Sequence, residues 1–396
     1  MNIEIREIKT PADIERFIRF GERLYKGDPL YVPLLRVDLR NQLRKHLIRH
    51  DYEQPVAAFL AIREGKTAGR IWTATYLARP GTATEKLQGA FNFFECVEDQ
   101  DVANALFSTA DAWFSARGVE YYYGNVNPKD PDDSRGVLIE GFDVAPVTMC
   151  VYNKPYYGRL FETAGFGTNE DFVSYRLRLE DIPYERYRGK IDELKERFCF
   201  TVDSADSTHV QKEAADIITC MENSIGDDWD QRPPAPEKVY ELLESWRRFL
   251  DFDYIKIART RQGEPIGFTM AVPNFNEILA RLHGRLGPLT LLKLLYYQKR
   301  IRTVRAMIQT VTVPYQGKGV INAMYAAYFD LLRKRRVEWV DASTIGMKNF
   351  KSRNAIEKLG GKIYKVFRMY DRRLPGDPSS TPESKTDAPK GSECHV

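Results

Sequence analysis

The chain has 396 residues, 43% of them hydrophobic, with 59 Lys and Arg against 55 Asp and Glu and a formal net charge of +4. This length suits two α/β domains. No run approaches the ~18 apolar residues of a membrane span, and the start lacks the basic leader and apolar core of a secretory signal, so a cytoplasmic protein is expected. The charge is too small to imply nucleic acid, and the five cysteines form no C-x-x-C pair, so neither a disulfide framework nor a metal site is expected.

In chain order, residues 56–76 read as two apolar strands about the turn Glu64-Gly65-Lys66-Thr67, the pattern of a β-hairpin. A strand at 90–95, a helix at 102–116, a strand at 120–123, a helix at 155–164 and a closing strand at 172–179 follow. The polar stretch 180–197, with Pro183, reads as a linker or the lead-in to a second unit. Residues 254–272 then repeat the hairpin around Gln262-Gly263-Glu264-Pro265. The same succession returns: a strand at 305–313, a helix at 320–335, a strand at 338–341, a helix at 349–359 and a closing strand at 362–370. The economical reading is two diverged copies of one α/β unit, an N-terminal domain at 1–180 and a C-terminal domain at 181–374. The Pro-, Ser- and charge-rich residues 375–396 are expected to be a disordered tail.

The segment from Ala306 to Val320 is a β-branched strand running into a glycine-bearing turn and then a helix. Such a junction gathers free backbone N–H groups and the positive end of a helix dipole, a phosphate site. Gly317 and Gly319 allow close backbone approach, and Lys318 adds charge at the rim. Neither the P-loop spacing nor G-x-G-x-x-G is present, which disfavours ATP and dinucleotides. The matching place in the first copy, residues 95–101, is acidic and has no glycine, so it would repel a pyrophosphate.

Tyr315-Gln316-Gly317-Lys318-Gly319-Val320 resembles the second half of the acyl-CoA loop Q/R-x-x-G-x-G/A of the GCN5-related N-acetyltransferase superfamily, although the leading Gln or Arg is absent. The segment from Asn349 through Ser352 to Gly360 is similar to that family's N-x-x-[SA] helix, in which the Asn faces the CoA arm. The resemblance implies an α/β fold of two tandem acyl-CoA N-acyltransferase-like domains, mixed sheets flanked by helices, with acyl-CoA as co-substrate. It implies a cofactor site at Val311, Val313, Gln316, Gly317, Lys318, Gly319, Val320, Asn349 and Ser352, the strand before the turn offering a backbone N–H to the thioester carbonyl. The runs 124–128, 136–143, 152–157 and 284–288 look like a bacterial subgroup of double-domain acyltransferases associated with ceramide synthesis.

Acyl transfer to an amine needs a base for the ammonium proton, donors for the oxyanion and a proton for the thiolate. The tyrosine that serves the family as general acid is replaced by Ile356 and, in the first copy, by Phe161. Tyr364 is taken as the catalytic substitute, with Tyr370 and Ser343 as alternatives and water also able to supply the proton. Glu95, at the end of an aromatic strand, is a candidate base through desolvation, and His50 is another by its intrinsic pKa. Asp341 and Ser343, at the end of the strand facing the expected CoA groove, are candidates for substrate contact.

From Arg281 to Arg305 the chain holds seven cations and no acid, with apolar residues at helical spacing over 278–304. The segment reads either as an inter-domain helix or as one that lies on an anionic membrane surface. The leading expectation is an acyl-CoA-dependent N-acyltransferase acting on the amine of a sphingoid-type lipid base, peripheral on the inner membrane face. Acetylation of a soluble amine, amino acid or peptide is the alternative enzyme reading, and a non-catalytic CoA- or lipid-binding protein is the third.

Overall fold

A computed structural model describes residues 2–49, 54–78, 86–127, 134–186, 188–224, 236–247, 251–282, 284 and 296–375. His50, most of the basic segment between 283 and 295, and the tail beyond 375 lie outside the described residues. The strands are β1 (Ile3–Glu7), β2 (Val56–Arg63), β3 (Lys66–Ala78), β4 (Lys86–Cys96), β5 (Tyr121–Gly124), β6 (Val137–Glu140) and β7 (Gly167–Arg178). They continue as β8 (Phe200–Ser204), β9 (Ile255–Thr260), β10 (Pro265–Pro273), β11 (Thr303–Val311), β12 (Trp339–Gly346) and β13 (Lys362–Arg373).

Both expected hairpins form, β2–β3 and β9–β10, with Gly65 and Gly263 at positive φ in their turns. Each copy then runs strand, helix, parallel strand: β4, the helix Gln100–Ser115 and β5; β11, the helix Val320–Lys334 and β12. The order across the sheet is β1-β2-β3-β4-β5-β13-β7-β12-β11-β10-β9-β8, with β6 also paired to β13. This order is a palindrome of the repeat, with one exchange at its centre. β13, the last strand of the second copy, pairs with β5 of the first (Tyr370↔Gly124 to Arg373↔Tyr121). β7, the last strand of the first copy, pairs with β12 of the second (Trp339↔Arg178 to Gly346↔Phe172). The mixed sheet flanked by helices is therefore one continuous surface.

Helices cover both faces of each half because strands buried on both sides need apolar cover on both. In the first half, Phe17, Ile18, Leu39 and Leu43 of the helices Pro11–Leu24 and Arg36–Leu43 pack on Leu60, Ile62 and Trp72. The opposite face is an aromatic core of Phe91, Phe94, Phe107, Phe114, Phe161 and Tyr370. In the second half, the helices Val210–Glu222 and Pro236–Trp246 cover Ile255, Ile257 and Phe268. Tyr184, Phe329 and Leu332 fill the other side, with Ile191 of the helix Arg188–Arg197, which occupies part of the expected linker.

The basic segment departs from the expected continuous helix. Among the described residues, helix is present at Asn276–Leu282 and again at 296–298, and Thr303, Val304 and Arg305 belong to β11. Two β-branched residues at the strand start, paired with both β10 and β12, override the helical periodicity.

Tyr370 shows the reach of the exchange: it is fully buried in the first-half core, stacked on Phe161 at 4.7 Å, and its hydroxyl donates to Glu162 at 3.1 Å. Tyr370→Ala should destabilise the chain by about 3–5 kcal/mol. Hydrogen exchange should report lost protection in the helix Gln100–Ser115, more than 250 residues upstream; a loss confined to the second half would contradict the exchange.

Candidate active site

β11 is antiparallel to β10 from Gly267↔Val311 to Pro273↔Val304. It pairs with β12 only from Thr303↔Trp339 to Ala306↔Ala342. Beyond Ala306 the two parallel strands part, and the β12-facing edge of residues 307–311 is left without ladder partners. The strand ends in the single turn Val313–Tyr315, where the Val313 N–H donates to the Asn223 carbonyl at 2.9 Å. Gln316 donates from Nε2 back to the Val311 carbonyl at 3.2 Å, tying the turn to its strand.

Gly317 and Gly319 have φ of 76° and 81°, the left-handed region that glycine enters without a Cβ penalty. Gly319 caps the helix Val320–Lys334 with no side-chain acceptor, and the first turn holds no acid. A helix start leaves backbone N–H groups unpaired and carries the positive end of the dipole. This corner is therefore open to an anion. Lys318 places its ammonium 4.8 Å from the Tyr315 ring and 5.5 Å from the Phe198 ring. The Val320 side chain is core, so only its backbone can serve the corner.

The first half is closed at the same place. Asp99 accepts from the Val102 N–H at 3.1 Å, capping the helix Gln100–Ser115, and is ion-paired with Arg63. At the end of β4, the Cys96 N–H donates to the Tyr157 oxygen at 3.0 Å, and the Cys96 carbonyl accepts from Tyr156 at 2.7 Å. Groups that are open in the second half are here satisfied within the protein.

Asp341 lies at the floor of the opening between β11 and β12. It is 1% exposed and registered opposite Arg305 on β11 and Arg176 on β7. The Ser343 and Tyr364 hydroxyls both donate to its carboxylate. Burial pushes the Asp341 pKa up to about 6, against the Tyr364 hydrogen bond and the nearby Arg305, Lys365 and Arg176 charges. Burial and the adjacent Asp341 charge raise the Tyr364 hydroxyl in turn. Three residues named from sequence thus meet at one point.

The sequence reading missed the roof. Lys365 donates to the Gly141 and Val144 carbonyls at 2.5 and 2.6 Å, and burial lowers its pKa to about 8. Arg305 donates to the Thr148 carbonyl at 2.9 Å, and the Thr148 N–H donates to Asn274 Oδ1 at 2.9 Å. A first-half loop is thus held over a second-half cleft. Lys365 gave no distinct sequence signal, being one of several charged residues in the strand Lys362–Arg373.

The other candidates fall elsewhere. Glu95 forms an ion pair with Arg70 at 2.8 Å, and Arg70 also donates to the Phe17 carbonyl at 2.6 Å and lies 4.4 Å from the Phe17 ring. Burial raises the Glu95 pKa, opposed by Arg70. β4 is four strands from β12, roughly 19 Å at ordinary strand spacing, so Glu95 is not brought to Asp341. Asn349 caps its own helix, accepting from the Ser352 N–H at 3.1 Å. Ile356 and Phe161 are core residues.

No family model matches the chain. Protein YghO of Escherichia coli K12 is 25% identical over 383 residues, covering 93% of this chain and 95% of that protein. The bacterial ceramide synthase of Caulobacter vibrioides is 25% identical over 380 residues, covering 94% and 98%. Among solved structures, a tandem GNAT protein from the clavulanic acid biosynthesis pathway superposes with a TM-score of 0.57 at 10% identity, covering 94% of this chain and 98% of that one. The fold is that of the tandem GCN5-related N-acetyltransferases. Within this tandem GNAT fold, the parted parallel strands and the open helix start occur together in the second half only.

Asp341 makes a pH signature. Its folded-state pKa of about 6 lies above the ordinary aspartate value of 3.8, so its stabilisation is complete below pH ~4 and is lost as pH rises to about 6. Asp341→Asn should melt close to the wild type at pH 4 and increasingly above it up to pH ~6, by an amount approaching about 3 kcal/mol. A pH-independent difference would mean that Asp341 is not held protonated by burial.

Proposed function

We propose that the chain is an acyl-CoA-dependent N-acyltransferase in which the second half takes the thioester. The observation that carries this reading is the pairing of an uncapped glycine helix start with an open strand edge, the edge beginning next to the strand pair that holds a buried carboxylate, Arg305↔Asp341. The Gly317–Gly319 corner would receive CoA phosphates, with Lys318 at its rim. The open β11 edge, residues 307–311, would offer a backbone N–H to the thioester oxygen, where negative charge develops; the Val313 N–H is already committed to the Asn223 carbonyl, so Val313 would serve only as a contact.

Attack requires an amine without its extra proton. Asp341, with a pKa of about 6, is ionised and basic enough at neutral pH to accept that proton. Because its carboxylate is enclosed, the Tyr364 or Ser343 hydroxyl would relay it, giving its own proton to Asp341 and taking one from the ammonium. The amine nitrogen then bonds to the acyl carbon, the carbon–sulfur bond breaks, and the thiolate leaves, taking up in effect the second proton that the nitrogen loses as the amide forms. Neither Ile356 nor Phe161 can protonate it, which leaves Tyr364 or water.

The acceptor we favour is a long-chain amino lipid of the sphingoid type, and the acyl group a fatty acyl chain. Support comes from the near full-length similarity to a bacterial ceramide synthase and from the cationic, apolar composition of residues 281–305, which suits contact with an anionic membrane surface.

Thiol release from a panel of acyl-CoAs and amines tests the reading. Turnover with long-chain acyl-CoA and a sphingoid base is expected; turnover only with acetyl-CoA and soluble amines would overturn the lipid acceptor, and no turnover with measurable CoA binding would overturn catalysis. In the active pair, kcat/KM should rise with pH through about 6. Asp341→Asn should lower it by about 10²- to 10⁴-fold and abolish that limb; an unchanged profile would remove Asp341 from the chemistry.

A further inference from the structure

Charge is unevenly spread along the chain. Residues 11–49 hold nine Lys and Arg against five Asp and Glu, and residues 276–302 hold six against one, although the whole chain is only +4. The remainder is therefore net acidic. These two cationic segments, far apart in sequence, touch in the fold. The Arg36 N–H donates to the Gly284 carbonyl at 3.2 Å, and a Cβ placed on Gly284 would lie 2.9 Å from the Leu34 carbonyl.

The helices Pro11–Leu24 and Arg36–Leu43 bury one face against β2 and β3. Ion pairs between Glu15 and Arg40 and between Glu22 and Arg36 hold the two helices together. On the outer side, Arg16, Arg19 and Arg44 are exposed, with Asp38 as an exposed carboxylate on the second helix. At the tip of the pair, Leu34 and Val37 are 53% and 40% exposed. An exposed apolar tip on a helix pair that carries exposed cations suits partial insertion among anionic headgroups.

Contact continues through the buried Gly284 to the helix Asn276–Leu282. There Ile278 and Leu282 pack with Ile301 and Tyr297, and the neighbouring Tyr296 is 54% exposed beneath Arg300 at 4.0 Å. That helix begins at Asn276, which donates to the Pro146 carbonyl at 3.0 Å, in the loop that roofs Asp341. An unbroken chain of contacts thus joins the cationic face to the roof of the acceptor cleft.

We infer that the outer face of the first-half helix pair, with Leu34 and Val37 at its tip, joins the helix Asn276–Leu282 and residues 296–302 in one docking surface for an anionic lipid bilayer. This deepens the lipid-acceptor reading and rests on it: a protein that draws an amino lipid from a bilayer gains from holding the roof of its cleft against the headgroups. Two cationic segments on separate halves also fix the orientation of the molecule on the membrane, which one segment cannot do.

Flotation of the full chain with phosphatidylglycerol–phosphatidylcholine vesicles, and with phosphatidylcholine alone, tests it. The wild type should float with the anionic vesicles and release at high salt. Arg16→Gln/Arg19→Gln/Arg44→Gln and Leu34→Asp/Val37→Asp should each weaken partitioning at least about tenfold with unchanged melting temperature, while Lys190→Gln/Lys195→Gln binds as the wild type. Wild-type binding by both first-half variants, with loss only on neutralising Lys299, Arg300 and Arg302, would overturn the composite surface. Failure of the wild type to bind anionic vesicles would overturn it as well, and thiol release with a detergent-solubilised sphingoid base would then show separately whether the lipid-acceptor reading stands.

Discussion

Two antiparallel strands at the centre of the sheet hold the molecule together. β7 and β13 pair with each other along most of their length, and each completes the sheet of the half to which it does not belong by sequence. Neither half can bury its core alone, because Tyr370 from the end of the chain fills the first-half aromatic cluster and β7 flanks the strand carrying Asp341. The exchange gives the first copy a structural part in the second-half cleft. It supplies a strand beside the cleft and, through the loop bound by Lys365 and Arg305, the roof above it.

The two copies differ most where a helix begins. Asp99 turns the first helix start into a satisfied cap, and Tyr156 and Tyr157 consume the polar groups of Cys96. Gly319 leaves the second start open. The same local geometry is thus a satisfied structural joint in one half and an uncapped helix start in the other, and the choice turns on a few side chains. Burial does the comparable work at Asp341: the desolvation that would make a lone carboxylate costly is offset by two hydroxyl donors and surrounding cations, leaving a group that titrates near neutrality.

Much of this organisation was legible in the sequence. The hairpins stand out because apolar strands flank glycine turns, and the repeat follows from their matching positions. Gly317 and Gly319 were readable as a tight strand-to-helix turn, and both adopt positive φ there. The helix Pro11–Leu24 also carried a readable start, the Thr10–Asp13 capping box followed by Pro11, yet it was not assigned. The strand exchange was not legible, since periodicity tells which face a strand buries but not which strand lies beside it. Arg305 and Lys365 were missed because their partners are backbone carbonyls of a distant loop, which no side-chain pattern encodes. The basic segment misled because its helical spacing ran on into Thr303 and Val304, which tertiary pairing made a strand.

The central claim is that only the second half receives CoA, at the corner opened by Gly319. Calorimetric titration of the chain with acyl-CoA tests it most directly, in the wild type and in Gly319→Val, where a side chain would be strained at φ 81° and crowd Leu194 at 2.5 Å. One bound molecule per chain, lost in the variant while the melting transition survives, is the expected result; two per chain, or one retained by the folded variant, would contradict it.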